Sequence, residues 1–215
     1  MYKITPNTLS WGFQRARRSK GSGGGNSGSN NDSGQLTQGG LTTCLMTGQG
    51  KDQISSLIVL VWLSHREDPS HKFLLYALLD DKSYTTLIAK ETLCQLGVRG
   101  HQTQLLLSTM HGKDAAISSE KVNGLLVQDY KGQVMIALPS TFSAHTIPAR
   151  RQQIPRPEAA LNWAHMRKIA GPLMPYRDDV EVGLLIGSSC THTIVPREVI
   201  PGIPDEPYVL QTDLG

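Results

Sequence analysis

Past residue 41 the chain alternates short apolar runs with turn residues, a pattern that favours strands over helices. An Ile- and Val-rich run over 57–63 and a second apolar run over 73–79 predict two strands. Asp68 and Pro69 mark the turn between them, so the pair reads as a hairpin with a loop of about nine residues. The spacing over 86–96 predicts a helix, with Leu87, Ile88, Cys94 and Leu96 as core contacts and Gly97 placed to cap its C-terminus. Strands resume at 104–108, and 125–128 pairs naturally with 133–138 across a turn at 129–132, announced by Asn123-Gly124. Residues 139–179 hold Pro148, Pro155, Pro157, Pro172 and Pro175 and read as a long irregular excursion, broken by one helix over 157–169 with Pro157 in its first turn. A last strand over 180–186 ends at Gly187.

The two ends of the chain have a different composition. Residues 21–40 are almost all Gly, Ser, Asn, Gln and Asp, too poor in apolar surface to offset the entropy of ordering them, and read as a disordered leader. Pro201, Pro204 and Pro207 make 199–215 a Pro-rich linker. The expected organisation is therefore a leader over 1–40, one folded domain over 41–198 and a linker over 199–215. Lys3, Arg15, Arg17, Arg18 and Lys20 against Asp32 give the leader +4 of a net +3, so the folded part is nearly neutral. The cluster from Arg15 to Lys20 is at most a weak RNA contact and otherwise a solvated basic tail.

The longest apolar run, 57–63, is far shorter than the about 20 residues of a membrane-spanning helix, so no membrane is expected. Cys44, Cys94 and Cys190 are odd in number and widely spaced, which fits a reducing intracellular, cytoplasmic setting and offers no zinc site. His192, two residues after Cys190, is the nearest approach to ligand spacing among seven histidines, and neither metal nor cofactor is expected.

Candidate chemistry concentrates at 73–88, FLLYALLDDKSYTTLI, where an apolar strand delivers Asp80, Asp81, Lys82 and Ser83 into a turn, followed by Thr86 and a helix or second strand. A carboxylate at the end of a buried strand is held rigidly at the surface of a core, where a general acid or base is useful. Asp is equally at home there as a plain turn residue, because its side chain hydrogen-bonds the backbone two residues on. Asp32-Ser33-Gly34 is the only literal Asp-Ser-Gly, but no apolar strand precedes it. Asp178 and Asp179 read as a solvated turn.

These residues resemble the active-site loop of retroviral-type aspartic peptidases: Leu78 and Leu79 match the apolar pair, Asp80 the catalytic aspartate, Ser83 the small residue, and Thr86, Leu87 and Ile88 the continuation. The likeness extends from about Cys44 to Leu214 and is similar in order and spacing to BEL/Pao-type LTR retrotransposon polyproteins. It is carried by Tyr76-Ala-Leu-Leu-Asp-Asp-Lys-Ser83, Leu107-Ser-Thr-Met110, Trp163-Ala-His165 and Glu181-Val-Gly-Leu-Leu-Ile-Gly187. The resemblance implies a mostly β, retropepsin-like closed-barrel half-site with one Asp loop per chain and a short helix after it. Leu184, Leu185, Ile186 and Gly187 would form the supporting strand behind the loop. It also implies an endopeptidase acting on a polypeptide, with a second copy of the chain supplying the other Asp80, a flap at the turn around Gly112 and Lys113, and a linker leading towards reverse transcriptase.

Two positions depart from the pattern. Asp81 stands where Thr or Ser is usual, and Lys82 where Gly allows a close backbone turn. A cation beside Asp80 favours its ionised form and opposes a proton shared between two such carboxylates. The rival expectation is therefore a catalytically inactive retropepsin-like β module, acting in binding or assembly.

Overall fold

The computed structural model describes residues 43–46, 57–109, 112–171, 173–202 and 207–215. In chain order the elements are β1 (Thr43–Met46), β2 (Ile58–His65), β3 (Asp68–Asp80), β4 (Thr86–Ala89), α1 (Lys90–Leu96), β5 (His101–Thr109), β6 (Gly112–Val122), β7 (Leu125–Asp129), β8 (Met135–Ala137), β9 (Thr141–Ala144), α2 (Pro157–Leu161), β10 (Val182–Gly187), α3 (Thr191–Ile194), β11 (Glu198–Ile200) and β12 (Tyr208–Gln211). The protein is mostly β. Nine strands form one sheet in the order β5-β6-β9-β4-β10-β3-β2-β7-β8, and β1-β12-β11 form a second. The larger order ends at β5 and β8, and no pairing joins those ends among the described residues.

The core lies where the apolar runs are unbroken. Ile58, Val59, Leu60, Val61 and Leu63 of β2, Leu75 to Leu79 of β3, and Leu184, Leu185 and Ile186 of β10 are all buried. Runs without polar alternation need cover on both faces, which central strands receive. Accordingly β2 sits between β3 and β7, and β10 runs parallel to β3 on one side and antiparallel to β4 on the other.

Several expected elements have different bounds. The hairpin turn is Arg66 and Glu67, not a nine-residue loop: β3 starts at Asp68, and its exposed first residues, Pro69 included, extend the ladder beyond the apolar core. The helix over 86–96 is two elements, because Thr86, Leu87 and Ile88 are buried between two neighbouring strands as β4 before α1 begins at Lys90. Gly97 does end α1, at φ 71 with its N–H on Cys94 O. The helix over 157–169 breaks after Leu161 and resumes as a 3-10 segment, Ala164–Ile169. The strand expected over 104–108 extends to His101–Thr109 and hairpins with β6, while β9 lies inside the supposed irregular excursion. The hairpin of β7 and β8 forms as expected.

Residues 199–215, read as a linker, contribute Val199 and Ile200 to β11 and the whole of β12. Pro201 and Pro207 flank β11 and β12 without interrupting them, and Val209 and Leu214 are buried. Val209 joins Ala160, Met166 and Leu173 in a small second core, against which Trp163 packs. No described helix is long and apolar enough to cross a membrane. The leader, the Arg15 to Lys20 cluster and Asp32-Ser33-Gly34 lie outside the described residues, as does the tip joining β5 to β6, so that Gly112 is seen as the first residue of β6, paired with Thr109.

Candidate functional site

The last residue of β3 is Asp80, and its neighbour across the parallel ladder is Gly187, the last residue of β10; Leu79 faces Ile186, Leu78 faces Leu185 and Ala77 faces Leu184 in the same register. The apolar pairs bury the ladder completely and deliver the carboxylate, half-buried, to its end. The loop then folds back on Asp80: the Lys82 backbone N–H donates to Oδ1 (3.0 Å) and the Ser83 hydroxyl donates to Oδ2 (2.5 Å). Both oxygens are thus held from one side, which fixes the plane of the carboxylate and leaves its outer lone pairs for another group.

The loop is itself tied to the segment after β10. Ser188 N–H donates to Ser83 O (2.7 Å), Ser189 N–H to Tyr84 O (3.1 Å), and the Ser188 hydroxyl also reaches Ser83 O (3.2 Å). Gly187 N–H donates to Thr86 Oγ1 (3.3 Å) at the fully buried start of β4. Gly187 is required by proximity: a Cβ there would stand 2.6 Å from Ser83 O, 2.7 Å from Thr85 O and 2.8 Å from the Tyr84 carbonyl carbon. A side chain would push the Asp80 loop off its support. Thr85 Oγ1 and Ser189 Oγ, buried on the two sides of this contact, make no hydrogen bond among the described residues.

The two departing residues point outward and meet. Lys82 Nζ lies 2.6 Å from Asp81 Oδ2, with both side chains more than half exposed. The ammonium is held above the usual lysine range by its hydrogen bond to Asp81 and by Asp81's charge, with Asp80's charge a lesser contribution. A Lys82 bridge to Asp80 is absent among the ion pairs of the described residues.

The loop residues expected from sequence, Asp80, Asp81, Lys82, Ser83 and Thr86, thus lie together, with Leu184, Leu185, Ile186 and Gly187 behind them. Sequence reasoning missed Ser188, Ser189 and the exposed Tyr84 as parts of the same unit; small polar residues directly after a strand-ending glycine were the available signal. Trp163 and His165 lie elsewhere, in the second core, where His165 Nε2 sits 2.9 Å from Pro207 O. Cys190 stands at the N-cap of α3 without a side-chain cap bond, burial pushes the pKa of its thiol up, and no cluster of metal-ligating side chains occurs among the described residues. Asp179 is paired with Arg177, which holds its carboxyl down to about 2, in the exposed turn read from sequence.

No protein-family model matches the chain, and no curated protein does. Among solved structures, a retropepsin-like aspartic protease from Rickettsia conorii superposes with a TM-score of 0.33 at 9% identity, covering 82% of this chain and 98% of that one. At that TM-score the site has to be judged from its own strand pairings and hydrogen bonds.

Proposed function

We propose that this chain is an aspartic-type endopeptidase domain of retropepsin-like plan, from a BEL/Pao-type retrotransposon polyprotein, with Asp80 as its catalytic carboxylate. The observation that carries the reading is the loop geometry: Asp80 ends a buried parallel strand pair, both its oxygens are oriented by donors of its own turn, and that turn is fastened to β10 by backbone hydrogen bonds. Rigid placement of a reacting group by buried elements is what catalysis by positioned carboxylates needs.

One such carboxylate per chain implies that two copies meet, each supplying Asp80 at a twofold axis. Two carboxylates about 3 Å apart cannot both ionise, so they share one proton. The ionised partner takes a proton from the attacking water while the protonated one polarises the scissile carbonyl, and the titration belongs to the pair. A polypeptide would bind extended, adding main-chain hydrogen bonds along a strand edge.

A second reading, an inactive β module used in binding or assembly, has one observation in its favour. The outer face of the loop carries the Asp81–Lys82 ion pair where the resemblance leads one to expect a hydroxyl and a glycine. The deciding experiment is cleavage of a polyprotein fragment spanning this region and its downstream neighbour, by the wild type and by Asp80→Asn, over pH 4 to 7. Processing that vanishes in Asp80→Asn establishes the peptidase. Equal absence of processing in both, from protein shown to be folded and dimeric, establishes the module.

A further inference from the structure

We propose, resting on the peptidase reading, that Asp81 is a positioning residue: its carboxylate holds the Lys82 ammonium away from Asp80, so that the two departing residues work as one neutral unit. Taken singly, each is harmful to an aspartate pair. Lys82 alone places a cation beside a carboxylate that has to share a proton, and Asp81 alone adds a negative charge in each copy. Taken together they cancel.

The geometry favours this pairing. Lys82 is tethered by its backbone N–H to Asp80 Oδ1 (3.0 Å), so its flexible side chain starts beside Asp80. It ends on Asp81 Oδ2 (2.6 Å). Ser83 already occupies Asp80 Oδ2 from within the turn. Few other charges bear on Asp80. Neither β10 nor β4 contains a titratable residue, and the start of β2, where Leu79 N–H meets Leu57 O, adds none. Tyr76 on β3, Tyr84 in the loop, Cys190 and His192 after β10, and Lys90, Glu91 and Cys94 of α1 are the titratable groups that the neighbouring segments add. Lys82 is thus the one cation carried by the turn itself. An exposed ion pair is weak in isolation. Its importance here lies in where it leaves the ammonium.

The test compares Asp81→Asn, Asp81→Glu and Asp81→Asn/Lys82→Met with the wild type in the full chain. Freed from Asp81, Lys82 turns to Asp80 and favours the doubly ionised pair, so the high-pH limb of the kcat profile moves to lower pH. About a threefold to tenfold loss of kcat at pH 7 is expected for Asp81→Asn, with KM little changed. Asp81→Glu keeps the wild-type profile, and adding Lys82→Met to Asp81→Asn moves the limb back. An Asp81→Asn profile that superposes on the wild type overturns the proposal.

A second readout needs no activity. In the ¹³C signal of the Asp80 carboxyl at fixed pH, Lys82→Met should produce a larger change in the Asp81→Asn background than in the otherwise native chain. Equal changes in both backgrounds overturn the proposal. If no form cleaves, the peptidase reading fails by itself, and this coupling still decides whether Asp81 holds Lys82.

Discussion

Two strands of this protein end in the same device. β3 closes on Asp80-Asp81-Lys82 and β7 on Asp129-Tyr130-Lys131, and in each the aspartate accepts the backbone N–H of the lysine two residues on, at 3.0 Å and 3.1 Å. The second oxygen separates them. Asp129 Oδ1 takes the backbone N–H of Val134 (2.5 Å), so this carboxylate, 5% exposed, is consumed in closing its own turn ahead of β8. Asp80 Oδ2 takes a hydroxyl from Ser83, and the backbone of its loop is given over to Ser188 and Ser189 beyond β10. An aspartate that organises a turn is common. A half-buried aspartate whose turn is bolted to a parallel strand is a candidate for chemistry.

The strongest way to break this contrast is at the glycines. Gly187→Val drives a side chain into three backbone atoms of the Asp80 loop that have no rotamer to escape into. Overpacking against backbone should cost about 3 kcal/mol or more and abolish cleavage. The glycine within the Asp129 turn, Gly132, has φ 76 and nothing nearer than 3.5 Å to an added Cβ. Gly132→Ala carries only the left-handed backbone penalty, about 1 kcal/mol, and leaves cleavage per folded molecule intact. Denaturant midpoints with parallel cleavage assays check both, and a Gly187→Val protein as stable as the wild type would mean the loop is not clamped as described.

Next in size is the exchange of roles between the two aspartates. Asp129→Ala strips a buried acceptor from two backbone donors of its turn and should destabilise by about 2 kcal/mol without touching Asp80. Asp80→Asn keeps the shape and the acceptor for Lys82 N–H, so it should shift stability by less than about 1 kcal/mol while removing cleavage. A stability loss at Asp80→Asn as large as that at Asp129→Ala would make both aspartates structural.

How much of this was legible in the sequence depends on burial. The runs of β2, β3 and β10 are apolar throughout because those strands are covered on both faces, so the strand carrying Asp80 and the strand behind it stood out. β6 did not, since Lys113, Asp114, Ser118, Ser119, Glu120 and Lys121 leave it few apolar positions, and its pairing with β5 supplies the order. β4 was absorbed into α1 because Leu87, Ile88, Cys94 and Leu96 also fit a helical stripe, although α1 buries Leu93 and leaves Cys94 exposed; only the two flanking strands decide for extended backbone. The Asp129 turn was read correctly as a turn, but its aspartate could not be told from Asp80 by composition, because the distinguishing partner of Asp80 lies more than a hundred residues away.

The smallest expected effect concerns acid, and it falls on one turn only. Arg197 and Asp213 form an ion pair beside the Asp129 turn, and a cleft of about 120 Å³ lies among Asp129, Val134, Arg197 and Asp213. The hydrogen bonds from Arg197 hold the Asp213 carboxyl below its ordinary value of 3.8. A depressed carboxyl contributes stability that is present above its unfolded value and is lost as pH falls through the folded one. The loss therefore begins near pH 4 and deepens below it, under the pH 4 to 7 window of the cleavage assay. The pair is partly exposed, half of the Arg197 side chain facing solvent, so the change is small. Amide exchange followed from pH 5 to 3 should show protection falling first at β12 and at the β7–β8 turn, with the Asp80 loop holding longer, and Asp213→Asn should remove part of that difference. If the Asp80 loop opens first instead, the clamp from β10 is weaker than the single aspartate that closes the β7 turn.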